Sequence, residues 1–186
     1  TMVLAQPWKQ AVHRLQRLER LVEYLNEEKP DIVCLQELKS SDETLPIKEI
    51  EAAGYRGVWH GQKGFNGVAV LSRGEPPVER QRGLEGDPED AHSRYIEVEI
   101  GDLVVASIYL PNGNPQPGPK FDYKLKWMER LADRASVLLA EERPVVLAGD
   151  YNVIPNDDDT FSVRAMIEDA LMQPESRERY RTLLAQ

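Results

Sequence analysis

Three places in this chain put oxygen and amide groups where a phosphate ester or a hard cation can be handled: Gln36-Glu37, Tyr109 with Asn112, and Asp150-Tyr151-Asn152. Each closes an apolar run that reads as a buried strand. Sites in open α/β sheets form beyond the C-terminal strand edges, where rigid strands hold groups and loops vary. Residues i and i+2 of extended chain point the same way, so Asp150 and Asn152 are expected to share a face. A carboxylate beside a neutral amide suits hydrolysis of a phosphate ester. The amide donates to non-bridging oxygens, and the carboxylate orients water or binds metal. Glu37, a single carboxylate at a strand end, suits a cation such as Mg²⁺, which uses few protein ligands. Taken singly, each has a plainer reading: Glu37 or Asp150 solvates a loop or caps a helix, Tyr109 packs in the core, Asn112-Gly113 makes a turn. Three strand ends of one kind shift the balance towards a site. They do not name the reaction.

The elements that must hold these groups alternate between helix and strand. Leu15, Leu18, Leu21, Val22 and Leu25 recur at helical spacing and predict a helix over 9–29, stopped by Pro30. A buried strand over 32–36 follows, then a short helix over 46–53 ending at Gly54. Strands are expected over 55–60, 67–72, 95–100 and 103–110, with Gly101-Asp102 as the hairpin turn joining the last two. In 95–100, Ile96, Val98 and Ile100 alternate with Tyr95, Glu97 and Glu99, so that strand is expected to be half exposed. The acidic stretch 74–93 and the Pro-rich stretch 111–119 read as loops. A second helix over 120–141 turns Phe121, Leu125, Met128, Leu131, Leu138 and Leu139 inward. A buried strand over 145–149, a loop over 150–159 and helical material starting again at Pro174 complete the pattern. This is an α/β chain.

The 186 residues suffice for one domain with a real core. No apolar run is long enough to span a bilayer, so no membrane partner is expected. The single Cys34 excludes a disulfide framework and a thiolate zinc site, and suits a reducing cytosol. Thr1–Pro7 lacks the basic start of a signal peptide, and a chain opening at Thr suggests a fragment or a processed product. The net charge of −9 argues at first against a polyanionic partner. The charge is segregated, however. Residues 75–102 carry nine acids and three bases, whereas 59–74 carry Lys63 and Arg73 with no acid, and 109–130 carry four bases against two acids. A neutral-to-basic strip remains available.

The ordered stretches Asp31-Ile32-Val33-Cys34-Leu35-Gln36-Glu37, His60-Gly61-Gln62-Lys63-Gly64, Asn66-Gly67-Val68-Ala69-Val70-Leu71-Ser72, Tyr109-Leu110-Pro111-Asn112-Gly113 and Gly149-Asp150-Tyr151-Asn152-Val153 together resemble the exodeoxyribonuclease III family of apurinic/apyrimidinic endonucleases, within the endonuclease/exonuclease/phosphatase superfamily. The resemblance runs from about residue 15 to the end. It implies a four-layer α/β/β/α sandwich, here partial, with 1–186 as a single incomplete domain. It also implies a cytoplasmic, monomeric, Mg²⁺-dependent DNA-repair enzyme, Mn²⁺ being the alternative ion. Such an enzyme hydrolyses phosphodiesters at abasic sites and removes nucleotides from duplex 3′ ends. By position, Glu37 would hold the metal, Tyr109 would act on the scissile phosphate, Asp150 would activate water and Asn152 would hold phosphate oxygens. Asn112, Arg94 and Lys39 match positions that approach the DNA backbone, although solvated surface charge is an equal reading of Arg94 and Lys39.

Two departures from the family pattern stand out. Where relatives have a first strand ending in a Trp-Asn-Val-Asn-like motif, this chain reads Pro7-Trp8-Lys9-Gln10-Ala11-Val12, so that strand is expected to be missing or altered. The closing Ser-Asp-His triplet of the family has no counterpart: none of His13, His60 and His92 follows an Asp, and His60 fits a structural role. Two further readings stay open. One is a non-catalytic remnant that binds DNA or a partner chain. The other is a superfamily phosphoesterase acting on lipid head groups or inositol phosphates, against which the Tyr109–Gly113 and His60–Gly64 segments argue.

Overall fold

The computed structural model describes residues 2–4 and 14–186. They form two compact units. The first comprises Thr1–Gly83, Glu89–Tyr109 and Pro144–Asp150; the second comprises Leu84–Pro88, Leu110–Arg143 and Tyr151–Gln186.

The first unit carries two four-stranded sheets. One is ordered β1-β2-β4-β3, from β1 (Met2–Leu4), β2 (Ile32–Gln36), β3 (Arg56–His60) and β4 (Val68–Ser72). The other is ordered β5-β6-β7-β8, from β5 (Val78–Arg82), β6 (Tyr95–Ile100), β7 (Leu103–Tyr109) and β8 (Val145–Asp150). The period-two alternation of strands decides what lies between them. Cys34, Val68 and Val70 point from the first sheet onto Ile96, Val98, Val105 and Ala148 of the second, all buried. The opposite face of the first sheet, with Val33, Leu35, Ala69 and Leu71, is covered by Leu25 of α1 (Arg14–Glu28) and Ile50 of α2 (Ile47–Ala52). Burial of Cys34 pushes its thiol up to about 12, as desolvation of a thiolate requires.

The second unit is built on α3 (Pro119–Leu139), which packs against α5 (Pro174–Leu184), with the short α4 (Val163–Met166) between them in sequence. Pro119 and Pro174 stand in the first turns of their helices, where a missing N–H costs nothing. Arg179 pairs with Glu129 at 2.7 Å, and the Tyr151 and Tyr180 rings meet edge-on at 5.5 Å.

Several expectations are corrected. The first strand is not missing: Met2–Leu4 pairs in parallel with Ile32–Cys34. The stretch 74–93 is not all loop, because Val78–Arg82 is an edge strand with a bulge between Glu79 and Gln81. Its polar sequence hid it; an edge with few apolar side chains resists further pairing. Strand β6 is not half exposed. Tyr95 and Glu97 are fully buried, Glu97 accepting from the Tyr95 hydroxyl at 2.6 Å and pairing with Arg80 at 3.3 Å. A buried carboxylate held by a hydroxyl and a guanidinium is tolerated where a bare one is not. In α3, Leu139 is exposed, whereas Lys124, Trp127 and Ala135 join the inner face. Of the helix expected over 9–29, Arg14–Glu28 is helical, and 9–13 lie outside the described residues.

Candidate active site

Within the first unit, Glu37 follows β2 with φ +55°, and Lys39 has φ +52°. Left-handed backbone at non-glycine residues is uncommon and costs on the order of 1 kcal/mol each. Pairing with the 66–67 turn holds it: the Leu38 and Lys39 amides donate to the Gly67 and Asn66 carbonyls at 3.2 and 3.0 Å. Gly67 must be glycine, since its φ is +90° and a Cβ would lie 2.8 Å from Leu38 Cβ. The turn delivers the Glu37 carboxylate, half-buried, between two partners. Its Oε1 accepts from the Tyr109 hydroxyl at 2.9 Å, and its Oε2 pairs with Lys39 Nζ at 2.9 Å.

Tyr109 ends β7. Its amide donates to the Arg94 carbonyl at 2.8 Å, Arg94 Nη1 donates to the Tyr109 carbonyl at 3.2 Å, and the guanidinium lies 4.9 Å from the centre of the phenol ring. Arg94 thus grips Tyr109 from the main chain and from the ring face. Burial first, then the bond to the Glu37 carboxylate, drives the phenol well above the ordinary tyrosine range, so it stays protonated and remains a donor. The parallel register of β7 and β8 sets Asp150 beside Tyr109, and the charge of Asp150 contributes to the same upward shift. Gly149 makes that pairing possible: a Cβ there would fall 1.9 Å from the Ile108 carbonyl oxygen. Glu37, Tyr109, Asp150, Arg94 and Lys39 are therefore brought together.

Within the second unit, Asn112 and Asn152 meet. Asn112 Nδ2 donates to Asn152 Oδ1 at 3.4 Å, and Asn152 Nδ2 donates to the Leu110 carbonyl at 2.7 Å. Asn152 has φ +46°, so the chain after Asp150 is not extended and the i, i+2 argument for a shared face fails. A turned backbone, supported from α3, aims the amide instead. Lys124, fully buried, donates from Nζ to the carbonyls of Asn112 and Asn152, fastening both loops from beneath. Gly113, with φ +92°, admits the lysine stem; a Cβ there would lie 2.7 Å from Lys124 Cδ. The two groups of residues belong to different units, joined through the chain at Tyr109–Leu110 and Asp150–Tyr151.

The sequence reading overlooked Lys124, although a signal existed. Phe121, Lys124, Met128, Leu131, Ala135 and Leu138 run in alternating steps of three and four, which puts the lysine on the buried stripe. Asn114 and Asp169, which support Asn112, carry no such mark. His60 is half-buried with Nδ1 3.4 Å from the Tyr95 carbonyl, and desolvation lowers its pKa, in keeping with a structural role. His92 pairs with Asp90 at 2.9 Å. Lys9, Gln10 and His13 lie outside the described residues. Among the described residues no three His, Cys, Asp or Glu converge as a ready-made metal cage. A half-buried carboxylate at Glu37 still fits a hard divalent cation, which can be held by one or two carboxylates with water completing its shell.

The pattern of the Endonuclease/Exonuclease/phosphatase family matches residues 9–178. The chain belongs to this family. Its membership carries the α/β two-sheet fold expected for the endonuclease/exonuclease/phosphatase type, and solved structures agree. An AP endonuclease from Archaeoglobus fulgidus superposes with a TM-score of 0.86 at 33% identity, covering 92% of this chain and 66% of that one. Among sequence relatives, exodeoxyribonuclease III of Haemophilus influenzae is 38% identical over 149 residues, 77% of this chain and 54% of the relative. An exodeoxyribonuclease of Bacillus subtilis is 31% identical over 163 residues, 87% of this chain and 62% of the relative. This family member thus spans between half and two thirds of the lengths of these relatives. Among its described residues no helix is long and apolar enough to cross a membrane.

Proposed function

We propose that this chain is the part of a DNA-repair phosphodiesterase of the exodeoxyribonuclease III type that carries Glu37, Tyr109, Asp150 and Asn152, with 1–186 working as one domain. Its substrate is duplex DNA at abasic sites and 3′ ends. The observation that carries the reading is the Tyr109 hydroxyl donating to Glu37 with Asp150 in register beside it. A phosphodiester offers acceptor oxygens, and this arrangement provides a permanent phenolic donor next to a carboxylate able to take a proton from water.

In the chemistry proposed, Asp150 orients water for in-line attack on phosphorus and receives its proton, the opposite P–O3′ bond breaks and the departing oxygen takes a proton from solvent, while Tyr109 turns its O–H from Glu37 to a phosphate oxygen as charge develops there. Asn112 and Asn152 supply neutral N–H donors to the non-bridging oxygens, and Arg94 keeps Tyr109 in place. Glu37 would hold Mg²⁺, or Mn²⁺ in its stead, which neutralises charge on the phosphate when bound. Lys39 occupies Glu37 Oε2 and swings to the DNA backbone when the carboxylate is needed elsewhere. The single buried thiol fits action in a reducing cytoplasm, and the enzyme proposed is a monomer.

The test is incubation of the purified chain with a duplex bearing one abasic site and Mg²⁺, beside Asp150→Ala. Cleavage lost in the variant supports the enzyme. Binding without cleavage by the folded wild type overturns it in favour of a non-catalytic DNA-binding chain, a reading to which the Lys39–Glu37 pair lends weight.

A further inference from the structure

We propose that Asp169 is a positioning residue that fixes, through Asn114, which way round the amides of Asn112 and Asn152 face. A carboxamide has nearly the same shape either way round, so its sense is set only by partners able to play one role. An ionised carboxylate accepts and never donates; a backbone N–H donates and never accepts. Asn114 lies between one of each. Its Nδ2 donates to Asp169 Oδ1 at 3.0 Å, while its Oδ1 accepts from the Ala170 amide at 3.0 Å. Both partners demand the same orientation.

The sense then propagates. Asn114 donates from Nδ2 and from its backbone N to Asn112 Oδ1, at 2.8 and 3.2 Å. With its oxygen so occupied, Asn112 turns Nδ2 outward, to Asn152 Oδ1 at 3.4 Å. Asn152 in turn points Nδ2 at the Leu110 carbonyl, which can only accept. The relay therefore branches at Asn114, which donates back to the Asp169 carboxylate and on to Asn112, and from Asn112 each link donates onward to the Leu110 carbonyl. Asn112 is exposed, so this sense displays N–H rather than C=O to solvent. An anionic phosphate oxygen is attracted by the first and repelled by the second. This consequence for substrate rests on the phosphodiester reading above; the amide orientation itself does not.

Asp169 also accepts from the Leu171 amide at 2.9 Å, so a purely structural role as a turn residue must be separated from the relay. The experiment compares wild type, Asp169→Asn, and the exchange Asp169→Asn with Asn114→Asp. The exchange re-forms the 114–169 contact with donor and acceptor swapped, and the carboxylate newly placed at position 114 still accepts from the Ala170 amide. That carboxylate offers Asn112 an acceptor at the shorter of its two contacts with residue 114, and a charge-assisted bond there outweighs the longer contact to the backbone N–H of residue 114, so Asn112 is expected to turn Nδ2 inward and its oxygen outward. Three quantities are read: the melting temperature, the side-chain amide resonances and NOEs of Asn112, and anisotropy binding of a duplex with one tetrahydrofuran abasic analogue in EDTA. Asp169→Asn, whose Oδ1 can still accept from Asn114 and from the Leu171 amide, is expected to keep the melting temperature and affinity near those of wild type. The exchange is expected to hold the melting temperature but to weaken binding roughly tenfold, with Asn112 amide-proton NOEs moving from Asn152 to residue 114. Wild-type affinity in the exchange, or unchanged NOEs, overturns it. If wild type fails to bind the duplex, the phosphodiester reading falls, and the NOE shift alone decides the relay.

Discussion

The two units arm themselves in opposite ways. The strand ends of the first gather formal charge: Glu37 and Asp150 flank Tyr109, and Arg94 and Lys39 answer them. The loops of the second gather dipoles, three asparagines set in one sense, with charge kept at the back in Asp169 and the buried Lys124. The first arrangement can move protons, and the second can only hold. Different failures should follow when each is damaged, and four experiments can break or sharpen that contrast.

The largest effect is expected at Gly149→Ala. A methyl group 1.9 Å from the Ile108 oxygen, at φ +149°, forces β8 off β7. A loss of at least about 4 kcal/mol is expected by chemical denaturation; a small loss would show that the Asp150 register is softer than the pairing indicates. Next comes Tyr109→Phe, which deletes only the hydroxyl facing Glu37. Cleavage of an abasic duplex should fall by about 10²–10³-fold, while stability changes by no more than about 1 kcal/mol. An equal fall in affinity with little loss of rate would place Tyr109 among the holding groups instead.

Lys124→Met keeps the stem and removes the ammonium from the carbonyls of Asn112 and Asn152. Stability should drop by about 2–3 kcal/mol, and duplex binding should weaken more than turnover slows. Turnover failing first would contradict a passive second unit. The smallest effect concerns His60. Burial lowers its pKa below the ordinary 6.5, so the folded chain keeps it neutral while the unfolded chain protonates first. Its contribution is complete above the unfolded value and fades as pH falls through 6.5 towards the lowered folded value. His60→Gln should therefore show a shallower acid-side decline in melting temperature; an identical decline would remove His60 as its source.

How far the sequence spoke for itself followed the same division. Glu37, Tyr109 and Asp150 were legible because each ends a run whose apolar pattern marks a strand, and strand ends are where groups converge. The core between the sheets was legible for the same reason in Cys34, Val70 and Val105. What stayed hidden was polar and buried. Glu97 reads as a solvent-facing residue until Tyr95 and Arg80 are seen to satisfy it. The edge strand Val78–Arg82 has too few apolar positions to show a period. Left-handed backbone at Glu37 and Lys39 cannot be read from residue types that seldom adopt it. Asn114 and Asp169 matter only through a contact spanning 55 positions of sequence, which no local pattern encodes.

Cys34 has a practical consequence. With no exposed surface, the lone sulfhydryl escapes alkylating reagents for as long as the two sheets stay closed upon it. Its labelling by a small electrophile would clock how often they part, turning a silent side chain into a built-in breathing gauge.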